Sequence, residues 1–257
     1  MKLRNGRGRE MRNRKIQKQA FAVCLAIMTA AQTMTGYGAT ITAGAAPDHG
    51  SWVREGQNWK YQAADGSFAK GWIHTVSGWY YLDPDTGVMK TGKVVIDGKQ
   101  YYFSNAYLET DGTVDVDGKH YVAGSDGALT EAKNNDWTKV DDSCYYLRDG
   151  EFLKGCVTQI GNTYYGFDWY GKMYRNETFD LEDSEDGHDY WYRAKEDGTL
   201  AIGWYFDGSD NYYYGADGRA VEGLQNIDGK SYYFSGGRVC KNLAVKIDGK
   251  NYVIDNS

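Results

Sequence analysis

Apolar and polar positions along this chain alternate in short bursts. From about residue 50 onward, clusters of aromatics such as "GWYYL" (78–82), "KQYYF" (99–103) and "KSYYF" (230–234) are each flanked within a few residues by glycine or Asp-Gly. The tyrosine that closes each cluster (Tyr61, Tyr81, Tyr102, Tyr121, Tyr146, Tyr165, Tyr192, Tyr213, Tyr233, Tyr252) recurs every 19 to 27 residues, with a period near 20. Two long intervals take up their extra residues in polar stretches, "TEAKNND" (130–136) and "LEDSEDGHD" (181–189), as surface loops do. Asp-Gly occurs twelve times, either just before an aromatic cluster ("IDGKQYYF", 96–103) or just after it ("YQAADGSFAKG", 61–71). Between β-prone runs this dipeptide favours type I′ hairpin turns, which need positive φ at both central residues. In "LDPDTG" Thr86 is inserted between Asp85 and Gly87 of the second kind of turn. Each unit therefore reads as turn, aromatic strand, turn, short strand, glycine.

A lone hairpin is marginally stable in water, so each unit must cover its aromatic face with the next. The expected fold is all-β, a β-solenoid of stacked β-hairpin repeats of about 20 residues, whose stability is roughly a sum of unit and neighbour terms. Fully burying one aromatic ring contributes at most roughly 4–6 kcal/mol. Most of the tyrosines are accordingly expected to hold the stack together, and His120, in a cluster position, to pack with them.

The N-terminal segment follows another pattern. Eight basic residues and one acid precede the uncharged apolar run "AFAVCLAIMTAA" (20–31), and Ala43-Gly44-Ala45 supplies small residues for cleavage. A run this short reads as a signal peptide over 1–45 rather than a membrane span. A short linker, 46–51, and a repeat region, 52–257, are expected after it. Val23 before Cys24 argues against a lipoprotein cysteine.

Composition sharpens this picture. The 257 residues include 33 Gly, 23 Tyr and 8 Trp but only 2 Pro, which suits Gly-turned aromatic strands better than a large α/β core. Without residues 1–45 the chain keeps 21 basic against 34 acidic residues, a net charge of −13. That disfavours nucleic acid and other polyanions and suits neutral glycans or cationic ligands.

On these residues the chain resembles a known family. "GWIHTVSGWYYLDPDTGVMKTG" (71–92) is similar to the cell-wall-binding repeat of the choline-binding type. "VVIDGKQYYF" (94–103) and "LQNIDGKSYYF" (224–234) are similar to the glucan-binding repeats of secreted glucosyltransferases, and to receptor-binding repeats of large toxins. The resemblance implies ligands seated between successive units, in cages of two Trp and one aromatic from the next unit. Two sets match: Trp59, Trp72 and Tyr81, and Trp191, Trp204 and Tyr213, each spaced by 13 and then 9 residues. Elsewhere the pattern is broken, by Lys93, Cys156 and Leu224 after the closing glycines and by Gln100, Asn211 and Ser231 in the aromatic strands. In this alignment Cys144 and Cys156 both take cage positions of one hairpin, which suggests a disulfide there, with Cys240 left over.

No catalytic pattern accompanies the repeats. Gly-x-Ser-x-Gly, HExxH, CxxC and a phosphate loop are missing, and His49, His74, His120 and His188 stand far apart. The acidic run Glu182, Asp183, Glu185, Asp186, Asp189 lacks the ligand spacing of a calcium loop. The expectation is a secreted, non-enzymatic surface protein without cofactor or metal. Its partner would be a cell-wall polymer, either choline-bearing teichoic acid or a polysaccharide such as glucan. It would contact no nucleic acid and, after signal cleavage, no membrane. The alternatives are a structural spacer or adhesin with a host or protein partner, and a targeting subunit of a separate enzyme.

Overall fold

A computed structural model describes residues 50–183, 186–247 and 249–254, together with the backbone of two paired segments, Thr33–Gly36 and Ala39–Thr42. The apolar run 20–31, Cys24, the cleavage residues 43–45, His49, Glu185 and Asp248 lie outside the described residues. From residue 51 the chain folds into ten successive antiparallel hairpins. We number them 1 to 10: 51–62, 71–82, 92–103, 112–123, 136–147, 156–167, 177–194, 203–214, 223–234 and 243–254. A short third leg follows most hairpins and bridges back to the terminal residue of the second strand, as Phe68 does to Gln62 and Met89 to Leu82.

The terminal residues, Gln62, Leu82, Phe103, Ala123, Leu147, Phe167, Ala194, Tyr214, Phe234 and Ile254, fix a common register. Six of their nine intervals are 20 residues long, those ending at Leu82, Ala123, Phe167, Tyr214, Phe234 and Ile254. This register corrects the sequence reading at four units. Tyr121, Tyr165, Tyr192 and Tyr252 stand third from last, one place earlier than Tyr61, Tyr81, Tyr102, Tyr146, Tyr213 and Tyr233, which are penultimate. Those four units have lost the penultimate tyrosine to Val122, Gly166, Arg193 and Val253, so the last tyrosine of the cluster is a different ring. A one-residue shift matters because neighbouring strand residues face opposite sides. The third-from-last position is tyrosine in every hairpin except the first, which has Lys60.

That tyrosine lies on the core face. In hairpin 2 the core face is Ile73, Tyr80 and Leu82, all buried, while Trp72, His74, Trp79 and Tyr81 line the opposite face and are only half-buried. Successive hairpins stack with the second face of one against the core face of the next. Trp52 meets Tyr80, Trp72 meets Tyr101, Trp137 meets Tyr165 and Trp204 meets Tyr232, with centroids 4.7, 5.1, 5.0 and 5.0 Å apart. The core is consequently segmented. One cluster joins hairpins 1 and 2 (Tyr61, Ile73, Tyr80, Leu82), and another joins 4 and 5 (Val122, Tyr145, Leu147, Phe152). Burial pushes the Tyr101 and Tyr145 hydroxyls up to about 12.

Asp-Gly forms two different turns. At Asp97-Gly98, Asp117-Gly118 and Asp228-Gly229 both residues have positive φ, as a two-residue hairpin connection requires. At Asp65-Gly66, Asp126-Gly127, Asp197-Gly198 and Asp217-Gly218 only the glycine does. There the aspartate Oδ1 accepts the backbone N–H two residues on, from Ser67, Ala128, Thr199 and Arg219. The dipeptide thus works through backbone freedom in one turn and through its carboxylate in the other. Others depart from this division: Asp149-Gly150 follows an aromatic cluster yet has positive φ at both residues, Asp111-Gly112 has it at the aspartate alone, and Asp207-Gly208, before a cluster, has it at the glycine alone.

Candidate functional site

Two backbone features build the slot between consecutive hairpins. The third-leg residue donates its N–H to the fourth-from-last carbonyl of the preceding hairpin: Met89 to Trp59, Met173 to Cys144, Leu200 to Tyr164 and Ala220 to Trp191, at 2.8 to 2.9 Å. The following residue donates to the penultimate carbonyl of its own hairpin, as Lys90 does to Tyr81 and Val221 to Tyr213. Together these bonds place the main chain of the fourth-from-last residue of one hairpin and that of the penultimate residue of the next on a shared third leg.

The first predicted set lies at such a slot. Trp59 of hairpin 1 is 40% exposed, while Trp72 and Tyr81 are cross-strand partners in hairpin 2 with rings 5.1 Å apart. Trp72 also touches Trp79 at 6.3 Å and Phe103 at 5.8 Å. The second set occupies the slot between hairpins 7 and 8. Trp191 is 47% exposed, and Trp204 and Tyr213 pair with rings 5.1 Å apart. In both sets no ring contact joins the outer tryptophan to the inner pair among the described residues, and the outer ring is left at least 40% exposed. The Arg54 guanidinium lies 5.9 Å from the Trp59 ring centroid, whereas the residue directly opposite Trp191 is Asp180.

A third inner pair escaped the sequence reading. Trp137 and Tyr146 pair at 5.1 Å, and Trp137 meets Tyr165 and Phe167 much as Trp72 meets Tyr101 and Phe103. The outer position there is His120, whose Nδ1 lies 2.6 Å from Asp115 Oδ1. The insertion before hairpin 5 stretches the usual 13-residue step to 17, which hid the set. A nine-residue step from Trp to Tyr was the available signal; it occurs at Trp52, Trp72, Trp137 and Trp204.

The expected disulfide is not present. Cys144 stands opposite Lys139 in hairpin 5, while Cys156 opens hairpin 6 opposite Phe167, and Cys144, Cys156 and Cys240 are free thiols. Val157, not Cys156, takes the position equivalent to Trp72. The two cysteines thus belong to different hairpins, and burial pushes the Cys156 thiol up.

These features define an all-β protein of aromatic hairpin repeats, in which the interfaces between hairpins 1 and 2, 5 and 6, 6 and 7, and 7 and 8 share one backbone joint while their rings vary. No family model matches the chain. Residues of this chain are 38% identical over 122 positions to glucosyltransferase-S of Streptococcus mutans, a match covering 46% of this chain and 8% of that protein. The chain thus spans less than a tenth of the length of that curated relative. Among solved structures, choline binding protein F from Streptococcus pneumoniae is 20% identical with a TM-score of 0.39, covering 80% of this chain and 96% of that one. Alternansucrase in complex with isomaltononaose is 20% identical with a TM-score of 0.33, covering 80% and 18%. The choline-binding domain of CbpL from Streptococcus pneumoniae is 25% identical with a TM-score of 0.35, covering 76% and 98%. The chain is a repeat protein that resembles choline-binding and glucan-binding domains.

Proposed function

We propose that this is a secreted, non-catalytic surface protein that attaches non-covalently to a cell-wall polymer through the aromatic slots between its hairpins. The observation that carries the reading is the pair of equivalent slots, Trp59 with Trp72 and Tyr81, and Trp191 with Trp204 and Tyr213. Ring faces attract groups that present polarised C–H bonds: the methyls of a quaternary ammonium such as choline, or the C–H face of a sugar. A cation over a ring contributes about 0.5–2 kcal/mol, so one slot binds weakly. Several slots on one rod gain through effective concentration against a polymer that repeats its ligand. The basic, then apolar N-terminal segment fits export through a signal peptide over 1–45, with a linker to residue 51 and the repeats beyond. The partial match to a glucosyltransferase favours a glucan-type polymer as a second form of the same reading.

The test is a titration of the exported form with choline and with soluble glucan, followed by tryptophan fluorescence and by retention on wall preparations. The expected result is a saturable response to at least one ligand that is lost in the Trp72→Ala, Trp204→Ala double variant. No response to either ligand, together with no retention on walls, overturns the proposal.

A further inference from the structure

After hairpin 6 the chain turns through Asp168-Trp169-Tyr170-Gly171, away from the slots, and Trp169 and Tyr170 are 72% and 71% exposed. Aligned on the glycine, the turns after hairpins 1, 4, 7 and 8 carry Ala64, Ser125, Glu196 and Ala216 in place of Trp169, and Asp65, Asp126, Asp197 and Asp217 in place of Tyr170. The carboxylate that holds the turn has moved to Asp168, whose Oδ1 accepts the N–H groups of Tyr170 and Lys172 at 2.8 Å. The Trp169 ring lies against Gly155, where an added Cβ would fall 2.4 Å from it. At Gly71, Gly92, Gly203 and Gly223, which open hairpins 2, 3, 8 and 9, an added Cβ would meet nothing within 4 Å. The absent side chain at Gly155 seats the indole directly on the main chain. Two exposed lysines flank the rings. Lys154 precedes Gly155, and its Cγ is 3.5 Å from the Cβ that Gly171 lacks; Lys172 follows Gly171. Neither lysine has an ion-pair partner among the described residues.

The next hairpin presents the opposite charge. Hairpin 7 has six cross-strand pairs where most hairpins have five, and the extra pair is Glu182 with Asp189. Strand residues two apart share a face, so Glu182, Asp189 and Asp180 all stand on the face of Trp191, and all four side chains are exposed. Like charges directly opposite each other destabilise a strand pair, a cost that a cation from outside would offset. Asp180 and Asp189 form no hydrogen bond or ion pair among the described residues. The wider field has the same sign. Residues 177–222 hold 13 acidic and 3 basic residues, which is −10 of the −13 carried without residues 1–45.

We propose that the Trp169-Tyr170 turn of one copy docks on the Trp191 face of hairpin 7 in a second copy, with Lys154 and Lys172 meeting Asp180 and Asp189. Ammonium groups donate the hydrogen bonds that carboxylates accept, and such charge-assisted bonds are the strong ones. The two patches are unlike, so a pair of copies related by a two-fold axis makes the contact twice. At ~150–250 Å² for a whole aromatic side chain, the exposed parts of Trp169, Tyr170 and Trp191 offer roughly 800 Å² over two copies. That is a large part of the ~1,200 Å² of a small specific interface. The net charge of the chain opposes pairing, but charges further apart than about 8 Å are screened at physiological ionic strength, which leaves the local patches to decide. The contact does not depend on polymer binding, and its test does not read polymer binding.

The test is sedimentation equilibrium of the full exported chain and of variants at exposed positions, their fold checked by circular dichroism. The native chain is expected to pair. Trp169→Ala with Tyr170→Ala is expected to weaken pairing by about thirtyfold or more, the scale of one interface hot spot. Lys154→Glu with Lys172→Glu, and separately Asp180→Lys with Asp189→Lys, are each expected to be monomeric, because one patch then repels its counterpart. Mixing these two charge-reversed variants restores opposite charges at both contacts, and pairing returns. A native chain that stays monomeric, pairing that survives all three variants, or a mixture that stays monomeric overturns the proposal.

Discussion

The slot between hairpins 1 and 2 and the slot between hairpins 7 and 8 share a backbone frame yet present different surfaces. Trp72 is half-buried, because Trp79 covers its edge at 6.3 Å. Trp204 is 45% exposed, because Asn211 occupies the position of Trp79. Trp137 lies between them at 36%, with Cys144 in that position. One side chain, two strand positions before the penultimate tyrosine, thus decides how far the inner tryptophan is a glue and how far it is an exposed ring. The outer rings differ in charge instead: Arg54 lies over Trp59, while Asp180 faces Trp191.

The largest test of this contrast is stability. Trp72→Ala is expected to cost about 3 kcal/mol, near the low end for removing a buried large aromatic, and Trp204→Ala about half as much. Chemical denaturation of the two variants gives the order; equal losses would break the comparison. Alkali should then affect both ends of the rod together. Burial holds Tyr101, beneath Trp72, and Tyr214, in hairpin 8, up to about 12, above the ordinary tyrosine value near 10. The folded chain keeps these protons where the unfolded chain releases them. Stability is therefore complete below pH 10 and falls as pH rises towards 12. Circular dichroism against pH checks this, and flat stability over that window would contradict it.

A smaller effect comes from exchanging the covering residue. Trp79→Asn should raise quenching of Trp72 fluorescence by acrylamide, and Asn211→Trp should lower that of Trp204, with stability moving by about 1 kcal/mol in opposite directions. The same direction in both would remove the explanation given for their exposure. The smallest effect is electrostatic. Arg54→Ala should strengthen choline binding at the first slot by roughly threefold, the scale of one exposed cation–π contact. An unchanged or weaker affinity by calorimetry would show that the guanidinium does not compete for the Trp59 face.

Much of the fold was legible in the sequence, because aromatic clusters and turn dipeptides recur at a nearly constant period. The hairpins before the clusters are where Asp97-Gly98 and Asp228-Gly229 place them. Register was less legible. Tyrosines on both faces of the strand look alike in a sequence, so Tyr121, Tyr165, Tyr192 and Tyr252 were aligned one place off. Cys156 was placed in a tryptophan position by the closing glycine before it, but Gly155 stands one residue outside the hairpin, and Val157 holds that position. Trp137 was hidden for a different reason: its neighbour in the slot comes from another hairpin, across a loop of variable length. Contacts within a hairpin are fixed by short spacing, whereas contacts between hairpins depend on insertions that a constant period cannot anticipate.

At four interfaces a hydrogen bond from the third leg to the fourth-from-last carbonyl of the preceding hairpin joins Trp59, Cys144, Tyr164 and Trp191 to their neighbours in the same way. It reads the main chain alone, so the side chain at that place is free to change while the joint holds. A lineage can therefore exchange an indole for a phenol or a thiol one unit at a time, keeping the rod intact as its recognition surface drifts.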